Sequence, residues 1–280
     1  MPTLEEVKPK PETRVAILVD NSSSMNSLSK FVVDTFNEQV DELRKIKDQK
    51  ITVSLVFFDS DVDVRMFNVP LEELQNLKHG EYKPAGMTAL DDAIGLTIDK
   101  FKNLDDWKDE NLAHLLVIIT DGNGNTNKEY SQRTVANMIT EGKNNGWTFT
   151  YLGANVDVNK VAKDYNLDIG NTMSYQANGD SLRFSSQVTS RGLNNYFNNT
   201  RSKGLRTMDC FYSAATGDNI LEDAKKANEA GIFEEAKEDL TDVEKDAKFD
   251  IHMGNKSLFD QALEANEKLQ QEQQSQEPAK

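Results

Sequence analysis

The sequence predicts a doubly wound α/β fold, with a mostly parallel central sheet covered by helices on both faces. Three observations carry this expectation. Short, nearly continuous apolar runs recur along the chain (RVAILVD, ITVSLVFF, LAHLLVIIT, WTFTYL), as strands covered on both faces must read. Between them lie segments whose apolar residues step by three or four, the spacing of an amphipathic helix. The two kinds of segment alternate, which implies right-handed crossovers, parallel pairing and a Rossmann-like architecture.

Taken in order, Arg14 to Asp20 is the first strand and ends at a carboxylate. NSSSMNSLSKF then offers hydroxyl caps, and Leu28, Val32, Phe36, Val40 and Leu43 mark the buried stripe of a helix. Ile51 to Phe58 is the next strand; after the turn-like DSDVD, Val64 to Val69 pairs beside it as a hairpin edge. A second cycle opens at Gly86, Met87 and Thr88, runs through a helix carrying Leu90, Ala93, Ile94, Ile98 and Phe101, and reaches Leu112 to Thr120, the most apolar strand. It too leads into a carboxylate, Asp121. Next come a loop rich in Gly and Asn (GNGNTN), a helix bearing Val135, Met138 and Ile139, a stop at Lys143 to Gly146, and the strand Trp147 to Leu152. The alternation closes with a short helix over Val156 to Tyr165, a weak strand near Asn171 to Tyr175, and a helix from Ser181 toward Phe197.

The expected organisation is a flexible arm over residues 1–12, one α/β domain over 13–200, a linker over 201–217 and an acidic helical tail over 218–280, disordered at its end. With 37% hydrophobic residues and no apolar run near the roughly 18 residues of a membrane span, the chain is expected to be soluble. MPTLEEVKPKPET lacks the basic-then-apolar pattern of a secretory leader. Cys210 stands alone among 280 residues, which points to a reducing, cytoplasmic setting. Net charge is −15, and residues 218–280 hold 17 Asp and Glu against 8 Lys. That balance argues against nucleic acid, whose phosphates are bound by Lys and Arg.

One constellation carries chemistry. LVDNSSSM places Asp20, Ser22 and Ser24 in a D-x-S-x-S loop at a strand's carboxyl end, Thr88 leads the next cycle's helix, and Asp121 follows a second strand. Each has a plain alternative: Asp20, Ser22 and Thr88 as helix caps, Asp121 in TDG as a turn former. Jointly they supply only oxygen donors, on loops that converge at the switch point of a doubly wound sheet, where ligands bind. Oxygen donors suit a hard divalent cation, Mg²⁺ above all, with Mn²⁺ or Ca²⁺ as substitutes.

DNSSS, GMTALDDAI and IITDG together resemble the von Willebrand factor A domain, whose metal-ion-dependent adhesion site is written D-x-S-x-S, then T, then D. The resemblance covers about residues 13–200. It implies that Ser22, Ser24 and Thr88 bind the cation directly, that Asp20 and Asp121 act partly through water, and that a partner's Glu or Asp carboxylate completes the shell. YLGANVDV and the stretch after it resemble small stand-alone members from bacteria and phages, which implies a bacterial or phage-infected cytoplasm, or a virion.

Other candidates rank lower. Asp59, Asp61 and Asp63 have a calcium-loop spacing but lack its Gly and Glu, and read as a hairpin turn. GNGN lacks the lysine of a phosphate loop. Asp91 and Asp92 read as helix-dipole partners, and His114, inside a strand, as a satisfied structural histidine. His79, His114 and His252 are scattered, Cys210 has no nearby basic residue that must activate it, though the Arg206 cation could, and no reaction site is complete. The leading expectation is therefore a non-enzymatic, cation-dependent protein-interaction module. The alternatives are an assembly protein (virion component or ATPase cofactor) acting through its acidic tail, and, last, a metal-dependent phosphohydrolase.

Overall fold

The computed structural model describes residues 10–215, except Asn123, Asn125 and the side chain of Asp180. Most of the expected arm and the whole acidic tail lie outside the described residues.

Six strands form one sheet: β1 (Glu12–Asp20), β2 (Lys50–Phe58), β3 (Val62–Pro70), β4 (Leu112–Thr120), β5 (Trp147–Ala154) and β6 (Thr172–Tyr175). Their order is β3-β2-β1-β4-β5-β6. Every pairing is parallel except the β2–β3 hairpin, which carries register shifts near Leu55. Helices are α1 (Ser29–Arg44), entered through a 3-10 turn at Ser23–Leu28, α2 (Leu90–Lys102), α3 (Gln132–Asn144), α4 (Val158–Tyr165), α5 (Gly179–Asn195) and α6 (Phe211–Ala215). The doubly wound α/β fold expected from the sequence is the fold observed. Among the described residues no helix is long and apolar enough to cross a membrane.

Burial explains the sequence pattern. All nine residues of β4 are buried, as are the last eight of β1, because helices cover both faces of the central strands. On one face α2, α3 and α4 bury Leu90, Ile94, Ile98, Phe101, Val135, Ile139 and Val161 against Ala16, Leu18, Leu116, Ile118 and Tyr151. Helices α1, α5 and α6 pack together in a second layer, and the stripe Leu28, Val32, Phe36, Val40 and Leu43 is buried as its spacing requires. Edge strand β3 alternates between half-buried and exposed residues over Val62–Met66 and is half-buried from there to Val69.

Two expectations needed revision. Residues 201–215 read as a linker, yet they pack onto this body. Arg201 is 1% exposed, and its guanidinium donates to Thr13 Oγ1 and to the carbonyls of Glu12, Asn111 and Leu205; Phe211 and Tyr212 of α6 are buried. A five-residue helix is too short to display a stripe, and an arginine reads as surface. His114 is buried as expected but is not satisfied: neither ring nitrogen has a hydrogen-bond partner among the described residues. It stacks on Trp147 at 4.1 Å between centroids. Burial, with the Arg14 charge beside it, pushes its pKa down to about 3.

The chain leaves β1 toward β2 on one side and resumes at β4 on the other. The carboxyl ends of β1 and β4 are therefore the switch point.

Candidate functional site

Asp20 is the last residue of β1, and Asp121 directly follows β4. The register pairs Val19 with Ile119, which brings Asp20 beside Thr120. The Thr120 hydroxyl donates to Asp20 Oδ2 at 2.6 Å, and the Ser22 amide donates to Oδ1 at 2.8 Å. The Tyr82 hydroxyl donates to the Asp20 carbonyl. Asp20 is thus fixed from three sides and fully buried. With its single hydrogen given to Asp20, the Thr120 oxygen accepts from the Gly122 amide at 3.1 Å. That contact closes the turn on which Asp121 sits, so the turn does not depend on the Asp121 side chain.

Ser22 Oγ and Ser24 Oγ lie 3.0 Å apart, and Ser24 Oγ donates to Asp121 Oδ1 at 2.8 Å. The loop after β1 is thereby joined to the loop after β4. Ser22 occupies the cap position of the 3-10 turn but makes no side-chain cap there. The cap position of α2 belongs to Ala89, not Thr88. The capping alternatives thus do not account for these hydroxyls.

Thr88 is buried, on a loop pinned from all sides. Ala85 donates its N–H to the Asn21 carbonyl at 2.7 Å, Ser23 to the Gly86 carbonyl at 3.2 Å, Ala89 to the Asp59 carbonyl at 2.7 Å, and Thr126 to the Thr88 carbonyl at 3.3 Å. Gly86 has φ +73°, and a Cβ there would lie 2.6 Å from Ser60 Oγ, so both conformation and space demand glycine. Next to it Met87 is 50% exposed, held outward by a backbone whose N–H donates to Ser60 Oγ at 3.0 Å.

Asp91 and Asp92 do more than complement a helix dipole. Asp91 accepts from Asn127 Nδ2 at 2.6 Å and from the Tyr165 hydroxyl at 2.8 Å. Asp92 accepts the amides of Lys128, Glu129 and Tyr130 at 2.6, 2.9 and 2.8 Å. The loop that carries Asp121 is therefore anchored to the first turn of α2.

Electrostatically, burial pushes the Asp20 carboxyl above the usual range; hydrogen bonds from Ser22 and Thr120 pull it back, and Asp121 adds to the rise. Burial raises Asp121 as well, opposed by Ser24. Among the described residues no three His, Cys, Asp or Glu side chains form a metal group; the donors here are two carboxylates plus hydroxyls. An all-oxygen set with little negative charge fits a small hard cation that keeps bound water, and fits thiolate- or imidazole-seeking metals poorly.

The other candidates fall elsewhere. Asp59 and Asp61 lie in the β2–β3 turn, with the Asp61 amide on Asp59 Oδ1 at 3.1 Å, and Asp63 is already in β3. Lys128 pairs with Asp61 at 2.5 Å. Arg206 donates to the Asp109 carbonyl at 3.1 Å, and burial with Asp209 raises the Cys210 thiol, so this cysteine is not activated. His79 is an exposed partner of Asp34 at 3.3 Å, and His252 lies outside the described residues. Sequence reasoning missed Thr120, Tyr82 and Ser60. Only Thr120 had a signal, as the residue that parallel pairing sets opposite Asp20.

The model of the von Willebrand factor type A domain matches residues 15–187. The chain belongs to the von Willebrand factor type A domain family. Solved structures to which the chain is similar include proximal thread matrix protein 1 from the mussel byssus, with a zinc occupied MIDAS motif (13% identity over 65% of this chain and 45% of that one, TM-score 0.48). Others are the ArnB paralog VWA2 of Sulfolobus acidocaldarius (18%, 64% and 44%, 0.42) and the PilB minor pilin of Streptococcus sanguinis (13%, 67% and 62%, 0.44). The chain spans less than half the length of the first two. No curated protein matches it. Type A domains are modules that often mediate protein–protein interaction through a divalent metal, and this one presents its oxygen cluster at the switch point of the sheet.

Proposed function

We propose that the chain is a non-enzymatic, cation-dependent protein-interaction module. Ser22, Ser24 and Thr88 would bind Mg²⁺ directly, and Asp20 and Asp121 partly through water. The bound cation would offer a vertex to an Asp or Glu carboxylate of a partner protein, giving affinity and a fixed direction of approach. One observation carries this reading. Ligands about 2.0–2.1 Å from Mg²⁺ stand about 2.9 Å apart along an octahedral edge, against roughly 3.3–3.7 Å around Ca²⁺. The two direct ligands Ser22 and Ser24 present their hydroxyl oxygens 3.0 Å apart, and Asp121 accepts from the Ser24 hydroxyl at 2.8 Å. The 3.0 Å spacing is also that of a hydrogen bond, so the hydroxyl hydrogens need only rotate away for a small cation to meet both oxygens where they stand. The outward-held Met87 adds an apolar contact at the rim, as protein-binding surfaces do.

The lone Cys210 and the likeness of YLGANVDV to stand-alone bacterial and phage members support a cytoplasmic, bacterial or phage setting. The assembly reading, through residues 218–280, concerns a segment outside the described residues. A phosphohydrolase would aim a cation at the substrate phosphate; Lys128 is instead engaged by Asp61.

Mn²⁺ binding followed by water-proton relaxation tests the proposal. The expected result is one site, weakened by Ser24→Ala, whose relaxation enhancement drops when a Glu-containing peptide displaces bound water. Binding that ignores Ser24→Ala, or enhancement that ignores the peptide, would overturn it.

A further inference from the structure

Directly beside Asp121 lies an open groove of about 360 Å³, walled by Asp121 and Gly122 on one side and by Ala154 to Asp157, Lys160 and Val161 on the other. We propose that this groove receives a second acidic side chain of the partner, near in sequence to the carboxylate at the cation, with Lys160 as its counter-ion. The inference rests on the carboxylate-capture reading above.

Asp121 belongs to both the cation site and the groove, so a segment that extends from the first along this side enters the second. The groove is preformed. Asn155 turns at φ +52°, its amide donates to the Tyr175 carbonyl at 2.7 Å, and the Val156 amide donates to Ser174 Oγ at 3.2 Å. Its floor suits a methylene stem, because Ala154 and Val161 are buried and apolar and Val156 packs against the core. Three charged groups line it. Asp121 faces the cation site, and Asp157 Oδ1 caps α4 by accepting the amides of Asn159 and Lys160 at 3.0 and 3.1 Å. Lys160 is exposed, and no ion pair or hydrogen bond engages its ammonium among the described residues. Alternate side chains on one side of an extended segment stand about 7 Å apart, so a segment with one carboxylate at the cation can carry its next same-side side chain into the adjoining groove. The fitting motif is two acids separated by one residue.

The test measures anisotropy of fluorescent peptides on the full chain with saturating Mg²⁺, using Gly-Glu-Gly-Glu-Gly and variants with Gln or Lys in place of the second Glu. The acid at the second position should tighten binding about twofold to fivefold over Gln, the range of an exposed ion pair. Lys160→Gln should erase that preference, and Lys160→Glu should transfer it to the Lys peptide. Magnesium-dependent binding that is indifferent to the second residue, or that favours Lys because Asp157 dominates, would overturn this inference alone. Absence of magnesium-dependent binding to every peptide would overturn the carboxylate-capture reading and this inference together.

Discussion

The Thr120 hydroxyl donates a 2.6 Å hydrogen bond to Oδ2 of Asp20, joining the ends of two strands 100 residues apart in sequence. Through the Gly122 amide the same oxygen shapes the turn beneath Asp121. One side chain therefore holds the Asp20 carboxylate and the backbone turn that carries Asp121. Thr120→Val, which keeps shape and removes the hydroxyl, should weaken Mg²⁺ binding about 10- to 100-fold, as lost outer-shell partners do. The cost in stability should be about 1–3 kcal/mol. Calorimetric titration and thermal melts give both numbers; unchanged affinity would remove Thr120 from the site's framework.

Cation affinity should fall on acidification, and should begin to fall above the ordinary carboxylate range. Burial raises the pKa of both Asp20 and Asp121, so protons compete with the cation earlier than at exposed carboxylates. Titrations with Mg²⁺ at stepped pH check this. Affinity that holds constant until the pH of a free aspartate would contradict it.

Stability should depend on His114 in acid. Its folded pKa, about 3, lies below the ordinary 6.5, so the unfolded chain binds the proton first as pH falls through this window. Folding then loses up to about 1.4 kcal/mol per pH unit from this group, and the loss levels off below pH 3. The raised carboxyls act in the opposite sense, so the informative quantity is the difference between the wild type and His114→Phe. Urea melts at pH 7, 5 and 4 should show the variant gaining relative stability as pH drops, and parallel curves would refute the assignment.

Asp92→Ala should release the loop bearing Asp121. Three backbone amides lose their acceptor at once; Lys128 and Glu129 are exposed, so water takes over part of what is lost and the cost should be about 0.5–1.5 kcal/mol for each bond. Hydrogen exchange at residues 128–130 should accelerate while exchange in β4 stays slow. Equal acceleration in both would mean global destabilisation instead.

How much of this was legible in the sequence varies with range. The strands and the stripes of α1 and α2 could be read because burial on one or both faces imposes a period on neighbouring residues. Asp20, Ser22 and Ser24 could be read because they share one loop, and Thr88 and Asp121 because each stands at the end of a recognisable segment. Their hydrogen bonds to one another could not. Likewise Arg201 reads as a surface residue until its four acceptors appear around it.

The sequence by itself determined the alternation of strands and helices, and with it the fold class, together with the oxygen-donor residues at the strand ends. The tertiary structure alone decided that β1 and β4 are neighbours, that Thr120 and Tyr82 hold Asp20, that Asp92 anchors the loop of Asp121, and that a groove opens beside it. The reason is physical. Periodicity records how each residue meets its own element's buried face, whereas strand order, register and loop-to-loop hydrogen bonds join residues tens to a hundred positions apart, and no local pattern encodes which pairs will meet.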